Sequence, residues 1–174
     1  GDVEMDARFI SEKGGVSGRV FVDNDGDLVF TEGDELLENV TIEAVHARKE
    51  AATDENGEAF IYELPSNVIS DVVVQEASLF DPFWIPATKG VLVVPRHGHV
   101  SRIDFPIHVS GEIDGTIYAR DPSGNKRIVR NMRVHLYDKD GNRYRSTATA
   151  FDGFYLFSRV RPGTYYLMLD ERDA

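Results

Sequence analysis

Ser17-Gly18-Arg19-Val20-Phe21-Val22-Asp23 and Asp114-Gly115-Thr116-Ile117-Tyr118-Ala119-Arg120-Asp121 open two copies of one unit, with Gly18 and Gly115 offset by 97 positions. Working outward, Asn39-Val40-Thr41-Ile42-Glu43-Ala44 parallels Asn131-Met132-Arg133-Val134-His135-Leu136 at an offset of 92. Gly57 parallels Gly153 at an offset of 96, with Thr53 and Thr149 ahead of them and aromatic runs behind. Leu64-Pro65 and Val160-Arg161-Pro162 then close each copy's hairpin. Self-similarity at a fixed spacing marks one supersecondary assembly used twice.

The period inside each unit is two. Val20-Phe21-Val22, Val40 to Val45, Phe60-Ile61-Tyr62, Val72-Val73-Val74, Val91 to Val94, Ile103-Asp104-Phe105 and Val134 to Tyr137 read as short strands. Asn56-Gly57, Asp140-Gly141 and Asp152-Gly153 are the dipeptides of tight hairpin turns. No long segment carries the i, i+3, i+4 apolar stripe of a helix. The chain therefore reads as all-β, two tandem Greek-key antiparallel β-sandwiches. We expect an amino-terminal extension or edge strand over 1–15, a first sandwich over 16–109 and a second over 110–174. The run Val3, Met5, Ala7, Phe9 alternates with Asp2, Glu4, Asp6, Arg8 and supplies the edge-strand reading. Val20, Val22, Val40, Ile42 and Phe60 are the apolar core candidates of the first unit. In the second, Val134, Tyr155 and Phe157 are candidates, and strand parity turns Tyr165, Leu167 and Leu169 inward with Tyr166, Met168 and Asp170 facing out. The second copy ends soon after its fifth strand, so it is either truncated or completed by another chain.

Bulk composition narrows the partners. The net charge is −11 over 174 residues. Residues 1–109 hold 8 Lys and Arg against 21 Asp and Glu, whereas residues 110–174 hold 11 against 9. An acidic surface of this kind disfavours nucleic acid, whose phosphates need a basic footprint. No apolar run reaches the roughly 20 residues that cross a membrane as a helix, and Gly1-Asp2-Val3-Glu4 is not the start of a cleavable signal. Without cysteine there is neither a disulfide nor a thiolate metal site.

The acid is concentrated in one connection. Asp23-Asn24-Asp25-Gly26-Asp27-Leu28-Val29-Phe30-Thr31-Glu32-Gly33-Asp34 places oxygen ligands at loop positions 1, 3, 5, 7, 9 and 12. Asp23, Asp25, Asp27 and Asp34 would give carboxylates, Val29 its carbonyl and Thr31 a hydroxyl or a bridging water to a Ca²⁺ ion. Calcium wants six to eight such oxygens at about 2.3–2.6 Å. Leu28 stands where the usual loop has the glycine of its sharp turn. The plain alternative is a solvated acidic turn. The second copy's equivalent, Asp121-Pro122-Ser123-Gly124-Asn125-Lys126, lacks the carboxylate ladder, so only the first unit should bind metal.

The run from Gly18 to Asp27, then Gly33-Asp34-Glu35-Leu36-Leu37-Glu38-Asn39-Val40-Thr41-Ile42 and Thr53 to Phe60, resembles the SdrD B-like repeats of bacterial surface proteins. Thr149 to Phe157 followed by Arg161-Pro162-Gly163-Thr164-Tyr165 is similar to the carboxypeptidase regulatory-like domain, a transthyretin-type (prealbumin-like) sandwich. The resemblance implies a calcium-binding acidic loop that stiffens an adhesin stalk. It further implies a non-catalytic spacer or protein-interaction module of the bacterial cell envelope, with protein partners in adhesion or pilus assembly. Residues 60–107, through Leu64-Pro65, Val72-Val73-Val74, Ser78-Leu79, Val94 to Val100 and Asp104-Phe105, also resemble the C-terminal periplasmic region of fimbrial outer-membrane ushers. That second resemblance implies binding of chaperone–subunit complexes during pilus assembly. Some relatives carry a Lys–Asn isopeptide crosslink. The opening strands here hold Arg19 and Arg120 and no lysine, so none is expected.

His97 and His99 flank Gly98 on a turn, an i, i+2 pair that can share a face and bind a transition metal, but no third ligand lies nearby in sequence. Phe80, Phe83 and Trp84 could form a carbohydrate or protein platform; as large aromatics between Pro82 and Pro86 they read rather as rings plugging one end of the sandwich. No nucleophile elbow, zinc-protease helix motif or phosphate-cradling loop is present, so no enzymatic activity is expected.

Overall fold

The structure, a computed structural model, describes residues 13–170. The alternating amino-terminal run lies outside the described residues. The chain is all-β, and it divides into two compact units meeting between Val109 and Ser110. The first contains β1 (Lys13–Val22), β2 (Glu35–Leu36), β3 (Thr41–Ala44), β4 (Lys49–Ala52), β5 (Glu58–Pro65), β6 (Ser70–Val74), β7 (Trp84–Pro86), β8 (Val91–Val93) and β9 (Val100–Val109). Two sheets face each other. One is ordered β4-β3-β6-β8; in the other β1 is flanked by β5 and β2 on one edge and by β9, then β7, on the other.

Almost every pairing is antiparallel, but β1 and β9 run parallel from Gly15 opposite Val100 to Val22 opposite Ile107. A parallel neighbour needs a crossover connection, here supplied by the chain from β6 through β7 and β8. The side-chain period of two is the same in both orientations, so alternation alone does not distinguish them. The core is the layer between the sheets: Val16, Val20, Ile42, Leu64, Val72 and Ile107 are wholly buried, and Phe105 packs with them.

Phe60, expected in that core, is instead 40% exposed. Buried Ala59 and Ile61 set the inward parity of β5, which sends Phe60 outward. It stacks there on Tyr62, ring centroids 6.0 Å apart. Hydrophobicity favours the ring over the neighbouring alanine, but strand geometry puts the alanine inside.

The second unit contains β10 (Gly111–Thr116), β11 (Tyr118–Arg120), β12 (Lys126–Ile128), β13 (Arg133–Asp138), β14 (Arg143–Ala148), β15 (Phe154–Val160) and β16 (Tyr165–Leu169). Its pairings are β10 with β15, β11 with β12, and the sheet β14-β13-β16. Val134, Leu136, Phe157 and Val160 form the buried core. Gly57 and Gly153 occupy the same turn in the two units, at φ +70° and +78°. A Cβ there would approach the Val20 carbonyl to 2.7 Å and the Ile117 carbonyl to 2.9 Å. Both the left-handed backbone and the close approach require glycine.

Leu167 and Leu169, also expected in the core, are 37% and 41% exposed. Their parity is inward: Leu169 lies opposite buried Val134 and Leu167 opposite buried Leu136. Among the described residues they have no opposing layer, and β10 has no second neighbour to cover them.

Candidate metal centre

The acidic connection leaves the end of β1 and returns through β2. Asp23 continues β1, its N–H donating to the Ile107 carbonyl at 2.9 Å. Its carboxylate is wholly enclosed. Oδ1 accepts from the Gly26 N–H at 2.9 Å, and Oδ2 from the Leu28 N–H at 3.0 Å. The loop thus folds around Asp23. Asp25 and Asp27 each accept a backbone N–H two residues on, from Asp27 and Val29 respectively, the local bonding that makes aspartate a turn residue. Asp34 closes the ring. Its Oδ1 takes the Asn24 N–H at 3.0 Å and its Oδ2 the Thr31 N–H at 2.9 Å. Thr31 Oγ1 lies 3.3 Å from both Asp25 Oδ2 and Asp34 Oδ2.

One carboxylate oxygen from each of Asp23, Asp25 and Asp27 comes within 4.8 Å of the others. Leu28 has φ +65°, the left-handed conformation that glycine normally supplies at this loop position. The turn is therefore made without the glycine, at a cost of roughly 1–2 kcal/mol. Oδ1 of Asp23 accepts one hydrogen bond and keeps a lone pair for a cation. The donor set is all oxygen, as a hard divalent ion requires.

Sequence reasoning missed His108. Its Nε2 lies 3.2 Å from Asp23 Oδ2, and its Nδ1 is buried without a hydrogen-bond partner among the described residues. No local signal marks it, because it stands 85 residues from Asp23. Only the β1–β9 register, with Val22 opposite Ile107, makes Asp23 and His108 the next pair along. Burial pushes the Asp23 carboxyl up. Hydrogen bonding to the Leu28 N–H, Asp25, His108 and the Gly26 N–H outweighs it and holds the group below the usual carboxylate value. Nearby, Arg19 forms a two-pronged pair with Asp104, both bonds 3.0 Å, and covers the Phe30 ring at 4.3 Å. That cluster pins the β1–β9 pairing beside the loop.

The other candidates separate. His97 and His99 are both exposed, and among the described residues the aspartates are the one group of three with ligand atoms this close. Phe80 is 96% exposed, so it plugs nothing; Trp84 alone of the three aromatics packs on the core. The turn at Asp121 instead closes on itself through Asn125, whose N–H donates to Asp121 Oδ1 at 2.8 Å. In the second unit His135 bridges Ser146 Oγ and Asp170 Oδ1, each at 2.6 Å, tying β14, β13 and the end of β16 together.

No protein-family model matches the chain, and a search of curated proteins finds no match. Among solved structures, the Bacillus anthracis TIE protein is similar at 15% identity and TM-score 0.43, over 91% of this chain and 28% of that one. GBS52, the minor pilin of Streptococcus agalactiae, is similar at 15% identity and TM-score 0.44, covering 92% of this chain and 84% of that one. The shaft pilin SpaA of Lactobacillus rhamnosus GG is similar at 10% identity and TM-score 0.41, with 92% and 89% covered.

Proposed function

We propose that the chain is a non-catalytic β-sandwich module of a bacterial cell-envelope protein, a structural spacer or protein-interaction unit in surface adhesion whose first sandwich is stabilised by Ca²⁺. The observation that carries the calcium reading is the convergence of Asp23, Asp25 and Asp27 within 4.8 Å in a loop closed by Asp34. The envelope reading rests on the likeness of residues 18–60 to SdrD B-like repeats. Asp23, Asp25, Asp27 and Asp34, the Val29 carbonyl and Thr31 would hold the ion. Bound calcium supplies the positive charge that offsets the mutual repulsion of these carboxylates, which Glu32 and Glu35 increase. This chain's own part is positional. The β1–β9 pairing fixes Asp23, and the backbone donors of Gly26, Leu28, Asn24 and Thr31 orient the carboxylates inward. A loop held this way stiffens the exit of β1, a useful property in a spacer under tension.

Isothermal titration with calcium and with magnesium, joined to melting in calcium or in chelator, tests the reading. Saturable heat with calcium and a raised midpoint are expected, and both should vanish in Asp25→Asn with Asp27→Asn. No heat and an unchanged midpoint would sink it.

A further inference from the structure

The segments that return after the opening strands of the two units follow equivalent paths at one end of each unit. In the first, β2 sets Leu36 opposite Phe21 and Glu35 opposite Val22. In the second, β12 sets Ile128 opposite Tyr118 and Arg127 opposite Ala119. The Leu37 N–H donates to the Val20 carbonyl as the Val129 N–H does to that of Ile117. Thr53 ties its hairpin turn to this segment, its hydroxyl donating to the Leu37 carbonyl at 2.6 Å and accepting from the Val40 N–H at 2.9 Å. Thr149 repeats both bonds with Val129 and Met132, each at 2.8 Å. One backbone frame thus presents residues 35, 38 and 55 in the first unit and residues 127, 130 and 151 in the second.

The charges they carry are reversed. Glu35, Glu38 and Glu55 are exposed at the end of the first unit, with exposed Glu32 and Asp54 close by in sequence. The second unit has Arg127, Arg130 and Phe151 in the same places, preceded by Lys126, all exposed. Its acids in this region, Asp121 and Asp152, accept from N–H groups of their own turns. Arg127, Ile128, Val129, Arg130 and Phe151 line an open depression of about 450 Å³, and Phe151 is 84% exposed. Glu35, Glu38 and Arg127 form no ion pair among the described residues.

A shared frame gives the acids and the arginines the same spacing. Two such ends brought face to face about an approximate two-fold axis set each position against the other one, i against j and j against i. Glu35 then meets Arg130, and Glu38 meets Arg127. Two first-unit ends would oppose acid with acid, and two second-unit ends arginine with arginine, so like charge rejects both alternatives. We propose that the acidic end of the first unit docks on the basic end of the second unit of another copy of this chain, through Glu35–Arg130 and Glu38–Arg127 pairs beside Phe151. Exposed ion pairs are individually weak and screened by salt, so the contact is reversible and sensitive to ionic strength. None of these four residues is a candidate calcium ligand, and the inference is independent of the calcium reading.

Sedimentation equilibrium of the full chain in chelator, over a range of concentration and salt, tests the contact. The weight-average mass should rise with concentration at low ionic strength and fall back towards the monomer as salt screens the pairs. Glu35→Arg with Glu38→Arg, and separately Arg127→Glu with Arg130→Glu, should each raise the dissociation constant by about tenfold or more, with unchanged circular dichroism. An equimolar mixture of the two variants should recover association, because each offers an end that the other complements. A chain carrying all four reversals should recover it too, with the polarity exchanged. Recovery reads the contact even if a single variant loses stability. A monomer at every concentration, association indifferent to salt or to the reversals, or no recovery in the mixture overturns the proposal.

Discussion

The two units share a strand order up to the hairpin ending at Leu64 and at Val160, yet they differ in how much of that order is enclosed. In the first, β9 returns to lie along β1, and the layer beneath it closes around Val16, Val20, Phe105 and Ile107, none more than 3% exposed. In the second, the residues of the same parity remain half-open. Among the described residues the strand with neighbours on both edges has a sealed core, and the strand paired on one edge leaves its inward side chains half-open. A second difference is chemical. The turn that follows β1 has grown into a carboxylate ring, while the turn at Asp121 is a short hairpin loop closed by Asn125.

The largest expected effect tests enclosure. Phe105→Ala should cost the first unit about 3–5 kcal/mol, a deeply buried ring being lost. Leu167→Ala should cost the second unit well under the ~2 kcal/mol floor of buried leucine truncations. Urea denaturation followed at both units checks this, and equal losses would break the contrast. Calcium comes next. At 100 times its dissociation constant the ion should add about 2.7 kcal/mol to the first unit and nothing to the second, read as a shift of one unfolding transition only.

Glycine at the shared turn should matter equally in both units. Gly57→Ala and Gly153→Ala each force a left-handed alanine, at roughly 1–2 kcal/mol, plus the carbonyl clash; thermal melts of the pair should show matched losses. Leu28→Gly should act in the opposite direction and more weakly. It relieves the left-handed strain but adds freedom to the unfolded chain, a net gain of under about 1 kcal/mol, with tighter calcium binding by calorimetry. The smallest effect is on acid stability. The Asp23 carboxyl sits lower in the folded state than in the unfolded chain. Its contribution is therefore fully present above the unfolded value of about 3.9. It is lost as pH falls through the folded value. An acid titration without calcium should find Asp23→Asn less sensitive in that range.

Much of the fold is legible in the sequence. The repeat of Gly18 at Gly115 and of Gly57 at Gly153 located the equivalent strands and turns, because a turn that admits only glycine leaves a mark in any sequence that uses it. The close approach of Asp23, Asp25 and Asp27 follows from their spacing, because all three lie within one short loop whose geometry is local. The misreadings had different causes. Phe60 was assigned by its hydrophobicity rather than by the parity of Ala59 and Ile61. Leu167 and Leu169 had the right parity, but parity says which way a side chain points and not whether anything lies opposite.

By itself the sequence determined the all-β class, the doubling of the unit, the turn positions and the acidic loop. All of these depend on residues a few positions apart, where periodicity and backbone sterics act. Tertiary structure alone decided that β9 lies parallel to β1, that His108 meets Asp23 across 85 residues, and that Leu28 bends as glycine would. Each of these is set by which distant strand occupies a neighbouring place in the sheet. Pairing between distant strands carries no period of its own, so only the assembled sandwich records it.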